Sequence, residues 1–235
     1  MIDMHSHVLF GVDDGAKDVQ VSLEMLRDSF SQGVRLCAAT PHCIIHEQKD
    51  LEKFIQDRDE AYIKLKKAIK EYGGEYPELI LGGEVYLDND LNKYDGLERV
   101  CYTGTDYLLL EFPMDKVNPL WAEWIYELNR KGIKILVAHV DRYPQWEKMM
   151  ADFKGLEVKY QVNASRFLKF SDRRLLKALL EQGKRYVISS DMHNTKTRKQ
   201  NMGEGYKKAE KKLGKTIADD FFEKNAERLL NLKKA

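Results

Sequence analysis

A short apolar run followed by an amphipathic helical stretch recurs about seven times along this chain, and that alternation limits its folds more than any other feature. "IDMHSHV" leads into "VQVSLEMLRDSFSQG", and "VRLCAATPH" into a long charged helix from about Asp50 to Tyr72. "ELILGGEVYL" leads into an irregular insert ending near Thr105. "DYLLLEFP" precedes a helix with apolar Leu120, Trp121, Trp124, Ile125 and Leu128, spaced to share one helical face. Asn118-Pro119 stands where an N-cap and a first-turn proline belong. "GIKILVAHV" is followed by a helix around Gln145 to Phe153, "VKYQVNASRFL" by one after Ser171, and "KRYVISSDMH" by two helical segments ending near Leu230. Thr216 and Asp219 are spaced as a capping box for the last of these. Near-continuous apolar strands alternating with helices predict a parallel sheet covered on its outer face. Seven such units without a linker, repeat or composition break predict one domain over residues 1–235: a closed, TIM-like (β/α)7 barrel rather than an open sheet.

Composition excludes several classes. Lys+Arg total 39 and Asp+Glu 38, for a net charge of +1, which leaves no electrostatic footprint for nucleic acid. The lysines of "KLKKAIK" and "KKAEKKLGK" read as solvated helix faces. Cys37, Cys43 and Cys101 form no C-x-x-C pair and no even framework, as expected of free thiols in a reducing compartment. Asp3, His5 and His7 occupy the place of a signal peptide's basic and apolar regions, and no apolar stretch reaches the ~20 residues needed to span a bilayer. The expectation is a soluble, cytoplasmic protein with no membrane insertion.

The strand ends carry the chemistry. His5 and His7 end the first strand, with Asp13 and Asp14 in the following loop. His42 ends the second strand, Glu84 the third, Glu111 the fourth, His139 the fifth, and Asp191 and His193 the seventh. In a parallel barrel these carboxyl ends share one face. A lone strand-end histidine is most often an ordinary hydrogen-bonded residue, and a lone glutamate a solvated charge. Five of the six histidines at one rim are harder to dismiss. Packed carboxylates repel and raise one another's pKa values unless cations intervene. His46, in a polar stretch, and Cys43, pointing away from His42, are not counted as ligands, and Asp13 is read as a loop residue or a support for one. Four carboxylates against three divalent ions would leave a surplus of about two positive charges, suited to a phosphate ester dianion. Mixed imidazole and carboxylate donors suit Mn, Fe or Zn.

In these motifs the chain resembles the polymerase-and-histidinol-phosphatase (PHP) superfamily. The shared features are HxH after the first strand, "TPH" after the second, glutamate after the third, a ligand after the fourth, histidine after the fifth and DxH after the seventh. "MIDMHSH…DDG", "HVDRY", "QVNAS" and "SDMHN" resemble its bacterial capsule-locus tyrosine phosphatases of the CpsB/CapC type, and the likeness runs to "KNAERLL". The resemblance implies a distorted (β/α)7 barrel holding three metals. By motif, one metal takes His5, His7, Glu84 and Asp191. A second shares Glu84 and takes Glu111 and His139, and a third takes Asp14, His42 and His193. Glu111 and Asp14 stand where many other PHP phosphatases have histidine, as in the tyrosine-phosphatase branch. Gly11 and Asp141 depart from common residues of close relatives, at positions outside the ligand set. Arg142 and Arg198 match two arginines used near the phosphate, and guanidinium is suited to phosphate oxygens.

The expected reaction is hydrolysis of phosphotyrosine by metal-activated water. The substrate that the resemblance implies is the tail of a membrane-associated bacterial tyrosine kinase controlling capsule or exopolysaccharide production. A cysteine mechanism requires C-x5-R, but Cys43, Lys49 and Tyr107 stand six residues after the three cysteines. The alternatives are a small-molecule phosphatase, for example of histidinol phosphate, and a non-catalytic metal-bound scaffold. The loops at Ile44–Lys49 and Asp88–Tyr102 are expected to border the site.

Overall fold

The computed structural model describes residues 1–169 and 173–232. Nine strand segments, all paired in parallel, alternate with helices. They are β1 (Ile2–Ser6), β2 (Leu36–Ala39), β3 (His42–Cys43), β4 (Glu78–Leu81), β5 (Glu84–Tyr86), β6 (Tyr107–Glu111), β7 (Lys134–Val137), β8 (Val158–Asn163) and β9 (Tyr186–Ser189). β2 and β3 are two halves of one interrupted strand, as are β4 and β5, so the nine segments make the seven expected strands.

Both interruptions lie side by side. Thr40-Pro41 separates β2 from β3, and Gly82-Gly83 separates β4 from β5. Proline has no N–H to give a ladder, and glycine permits a close bend. The Gly82 amide donates to Ala39 O at 3.0 Å and the Glu84 amide to Pro41 O at 2.9 Å, so the two strands bend together. Pairing then resumes with His42 opposite Glu84. The segments form two sheets, β1-β2-β4 and β3-β5-β6-β7-β8-β9, and with each broken strand counted as one the order follows the chain. The ring closes at one parallel bridge, Ser6 to Met192, where the His7 amide donates to Met192 O and the Asp191 amide to His5 O, both at 2.9 Å. The result is the expected distorted seven-stranded barrel.

Helices α1 (Val19–Ser31), α2 (Gln48–Tyr72), α3 (Trp121–Arg130), α4 (Trp146–Asp152), α5 (Ser165–Lys169), α6 (Arg173–Glu181) and α7 (Met202–Leu213) follow the strands. Lys215–Leu229 is one further helical arm with a π turn at Asp220–Lys224. The larger apolar cluster includes Leu23 and Leu26 of α1, Leu51 and Leu65 of α2, and Val85, Leu108 and Leu110 of the strands. A smaller cluster joins Met4, Ala38, Leu109, Leu136 and Val187 from separate strands, with Ala226, Leu229 and Leu230 of the arm packed on it. Alternate strand residues share a face. Glu111 therefore stands directly above Leu109, and the polar cluster sits on an apolar floor.

Some local expectations fail. α3 begins at Trp121 with exposed Leu120 as its N-cap; Asn118, two residues earlier, accepts the Leu120 amide at 2.9 Å and does not cap the helix. β8 stops at Asn163, and the residues after Ala164 form α5 instead of extending the strand. Ser171 lies outside the described residues. The Thr216–Asp219 box does not form. That helix starts at Lys215 behind Gly214, and Asp219 accepts instead from Tyr206 Oη at 2.7 Å and Lys215 Nζ at 2.8 Å. Among the described residues no helix is long and apolar enough to cross a membrane.

Candidate metal centre

All nine sequence-predicted ligands meet at the carboxyl rim. Glu84 is the hub and is fully buried. Its Oε2 lies 3.1 Å from His5 Nε2, 3.3 Å from His7 Nε2 and 3.0 Å from His42 Nδ1. Its Oε1 lies 3.0 Å from His139 Nε2. Asp191 Oδ1 stands 3.6 Å from both His5 Nε2 and His7 Nε2. Glu111 reaches His139 Nε2 at 3.3 Å and His42 Nδ1 at 3.7 Å. Asp14, largely exposed at the mouth, stands 3.5 Å from both His42 Nε2 and His193 Nε2. His42 thus faces two groups, Glu84 and Glu111 with one nitrogen and Asp14 with the other. The His193 ring lies 3.6 Å from that of His7, centre to centre.

Among the described residues three sets of donor atoms are compact enough for one ion each: His5, His7 and Glu84; His42, Glu84 and Glu111; and His7, Asp14, His42 and His193. Donors ~2.1 Å from a common ion lie roughly 3.0–3.4 Å apart, depending on geometry. The separations around Glu84 fall in that range. Glu84 Oε2 and His193 Nε2 are also buried without a hydrogen-bond partner, which a cation would correct. Imidazole, carboxylate, spacing and orphaned atoms all fit divalent metal.

Local sequence explains the convergence. His5 and His7 alternate along β1, and a register shift between Asp3 and Ser6 re-aims the strand at the site. Gly15 lets the "DDG" loop fold onto β1, since a Cβ there would stand 2.2 Å from His7 O. The folded loop brings Asp13 Oδ2 to 2.6 Å from His7 Nδ1, where it also accepts the His42 amide at 3.0 Å. Burial alone would push the Asp13 carboxyl up, but the His7 ring and nearby amides hold it down to about 2. Asp13 therefore buttresses one ligand and the backbone of another. His139 and Asp191 have left-handed backbones, φ +30° and +54°, a cost concentrated at the two strand ends where it serves the site.

The imidazoles and carboxylates shift one another in both directions. Burial disfavours charge on His139, but Glu111 and Glu84 raise its pKa to about 9. Burial, His7 and Arg198 push His193 down to about 3. Burial likewise opposes charge on Asp191, yet His5, His7 and His139 hold it far below the usual carboxylate range.

Both predicted arginines reach the cluster at Asp191. Arg198 Nη2 donates to its Oδ1 at 2.8 Å, and Arg142 Nη1 lies 3.6 Å from its Oδ2. Both are partly exposed and free to face a ligand. His46 is exposed and pairs with Asp88 at 2.9 Å, linking the two expected bordering loops. Cys43 is buried in the outer core.

The strand-end pattern does not reveal the amides of β8. Gln161 Oε1 accepts the His139 amide and stands 3.1 Å from His5 Nδ1. Gln161 Nε2 donates to Asn163 Oδ1 at 2.8 Å, and Asn163 Nδ2 to Asp191 Oδ2 at 3.1 Å. One side-chain chain thus steadies three ligand candidates. The signal that could have found it is two amides at period two, Gln161 and Asn163, at the carboxyl end of a strand where the other strands carry histidine or carboxylate.

A family model described as "Capsular polysaccharide synthesis, CpsB/CapC" matches residues 1–231. The tyrosine-protein phosphatase CpsB of Streptococcus agalactiae serotype III (strain NEM316) is 30% identical over 245 residues, 98% of each chain. The tyrosine-protein phosphatase YwqE of Bacillus subtilis (strain 168) is 33% identical over 243 residues, 98% of this chain and 91% of that one. A crystal structure reported with YwqE from Bacillus subtilis and CpsB from Streptococcus pneumoniae, described as unique metal-dependent tyrosine phosphatases, superposes with TM-score 0.81 at 27% identity. It covers all of this chain and 96% of that one. With a family model matched over residues 1–231 and relatives 30% and 33% identical over 98% of its length, the chain belongs to the CpsB/CapC family.

Proposed function

We propose that this chain is a metal-dependent protein-tyrosine phosphatase with a single PHP domain over residues 1–235. The observation that carries the reading is Glu84, a buried carboxylate with imidazoles at both oxygens. His5, His7, Glu84 and Asp191 would hold one ion, Glu84, Glu111 and His139 a second, and Asp14, His42 and His193 a third. Mn is the favoured metal, with Fe and Zn also compatible with the donors. Bound divalent ions supply Lewis acidity towards phosphoryl oxygens and bring the pKa of water towards ~7.

The protein's own groups do the rest. Gln161 and Asp13 fix the rings of His5 and His7, so that each presents Nε2 to the centre. Arg142 and Arg198 bind and orient phosphate oxygens that the metals leave free, and offset charge growing on them. A phenolate leaving group, pKa ≈ 10, departs far more easily than an alkoxide and needs no strong general acid. The substrate is a tyrosine-phosphorylated protein, the tail of a membrane-associated kinase that controls capsule or exopolysaccharide synthesis, met in the cytoplasm.

The test is steady-state kinetics of the Mn-loaded protein on a phosphotyrosine peptide and on histidinol phosphate. Turnover that favours the peptide is expected. A preference for histidinol phosphate of about a hundredfold or more, close to 3 kcal/mol in the barrier, would make it a small-molecule phosphatase. Absence of turnover on both would leave only a scaffold.

A further inference from the structure

Beside the metal cluster opens a cavity of about 710 Å3. We propose that it receives the aromatic ring of the phosphate ester, with Ile44 and Tyr86 as specificity-determining residues. The proposal rests on the phosphatase reading and specifies how that site selects its substrate.

The lining combines the ligand candidates Asp14, His42 and Glu111 with Val12, Ile44 and Tyr86, and α2 adds the charged Asp50, Lys53 and Asp57. β3 and β5 pair with His42 opposite Glu84. Tyr86 lies two residues beyond Glu84 in β5, and alternate residues of a strand share a face, so it stands one step outward from a candidate ligand. Ile44 follows directly on the end of β3 and lines the same cavity. Ile44 is 56% exposed at the mouth of this polar cluster. Phe54, from α2, also lines the cavity.

Singly exposed aliphatic residues are common. Ile44 differs because, with Phe54 and the Tyr86 ring, it gives apolar contact within a concave, otherwise charged lining that reaches the candidate ligands, a mix of apolar and polar groups usual in small-ligand sites.

The arginines give the direction. Arg142 and Arg198 both approach Asp191, and neither lines the cavity. A phosphate whose free oxygens turn towards the arginines therefore directs its ester oxygen towards Ile44 and Tyr86. The cavity falls in the usual ~300–1,000 Å3 range of ligand pockets, enough for the ring and adjoining main chain.

The experiment measures binding of two non-hydrolysable ligands, phenylphosphonate and methylphosphonate, to the Mn-loaded protein by calorimetry. Metal content is checked for every variant. The wild type is expected to favour phenylphosphonate by about tenfold or more, the scale of a filled apolar pocket. Ile44→Ala and Tyr86→Ala should bring that ratio towards one, and Tyr86→Phe should retain it. Ile63→Ala, an exposed aliphatic on α2 that does not line the cavity, is the control. Equal binding of both ligands by the wild type overturns the proposal. So does an unchanged ratio in the two alanine variants, including equal weakening of both ligands. Failure of the phosphatase reading is a separate result: wild-type protein that neither binds phosphonates nor hydrolyses phosphotyrosine.

Discussion

Two regions of the barrel serve the same rim in opposite ways. The strands from β2 to β5 are broken at Thr40-Pro41 and at Gly82-Gly83, and beyond the breaks they present His42 and Glu84 directly to the centre. β8 runs six residues without a break and presents no charged ligand, only Gln161 and Asn163. The broken strands aim side chains that a regular ladder would not aim so well. The unbroken strand supplies a rigid base from which two amides hold ligands borne by other strands. A metal centre needs both, because donors with unlocked orientations lose affinity for the ion.

The contrast predicts unequal mutational effects. Glu84→Ala should be the most severe. Both of its oxygens face donor groups, so its loss should empty more than one ion site and lower kcat/KM to about a thousandth or less, equivalent to roughly 4 kcal/mol. Elemental analysis of the variant checks the metal count. Loss of activity with full metal content would contradict a shared-ligand role. Gln161→Ala should cost less, about 10–100-fold in activity or metal affinity, with an unchanged circular dichroism spectrum. If Gln161→Ala were as damaging as Glu84→Ala, the division between presenting and holding strands would fail.

Asp14→Ala should fall lower again. Asp14 is the exposed member of its group, while His5, His7, Glu84 and Asp191 form a buried set without it. The variant should lose one ion per chain and keep the others, as counted by elemental analysis. Loss of every ion would mean that the groups fill as one cooperative unit.

The difference between the regions also explains what can be read from sequence. Histidine and carboxylate at strand ends are conspicuous, so His5, His7, His42, Glu84, Glu111, His139, Asp191 and His193 stand out from the strand pattern alone. The barrel follows from the alternation of strands and helices. Buried amides are less visible, because Gln161 matters only through contacts with His5 and His139, residues far from it in the chain. Asp13 is legible as a loop residue or a support for a ligand, but which ligand it supports is hidden for a related reason. Its proximity to His7 depends on a loop fold that Gly15 permits. The Thr216–Asp219 box fails because Tyr206 and Lys215 take Asp219 in the folded chain. A local motif competes with partners that sequence spacing does not reveal.

The smallest expected effect comes from the thiols. Cys37, Cys43 and Cys101 are all buried. Burial pushes each thiol pKa up, that of Cys101 to about 12, so at neutral pH almost none is thiolate. A nucleophilic cysteine needs the opposite shift and an exposed sulfur. Cys43, next to His42, is the critical case, because it faces the outer core while its neighbour faces the metal cluster. Alkylation of the native protein with iodoacetamide should therefore leave phosphotyrosine hydrolysis unchanged. Exhaustive chelation should abolish it, and added Mn should restore it. Inactivation by alkylation with the metals still bound would place the chemistry on sulfur and remove the rim from its central role.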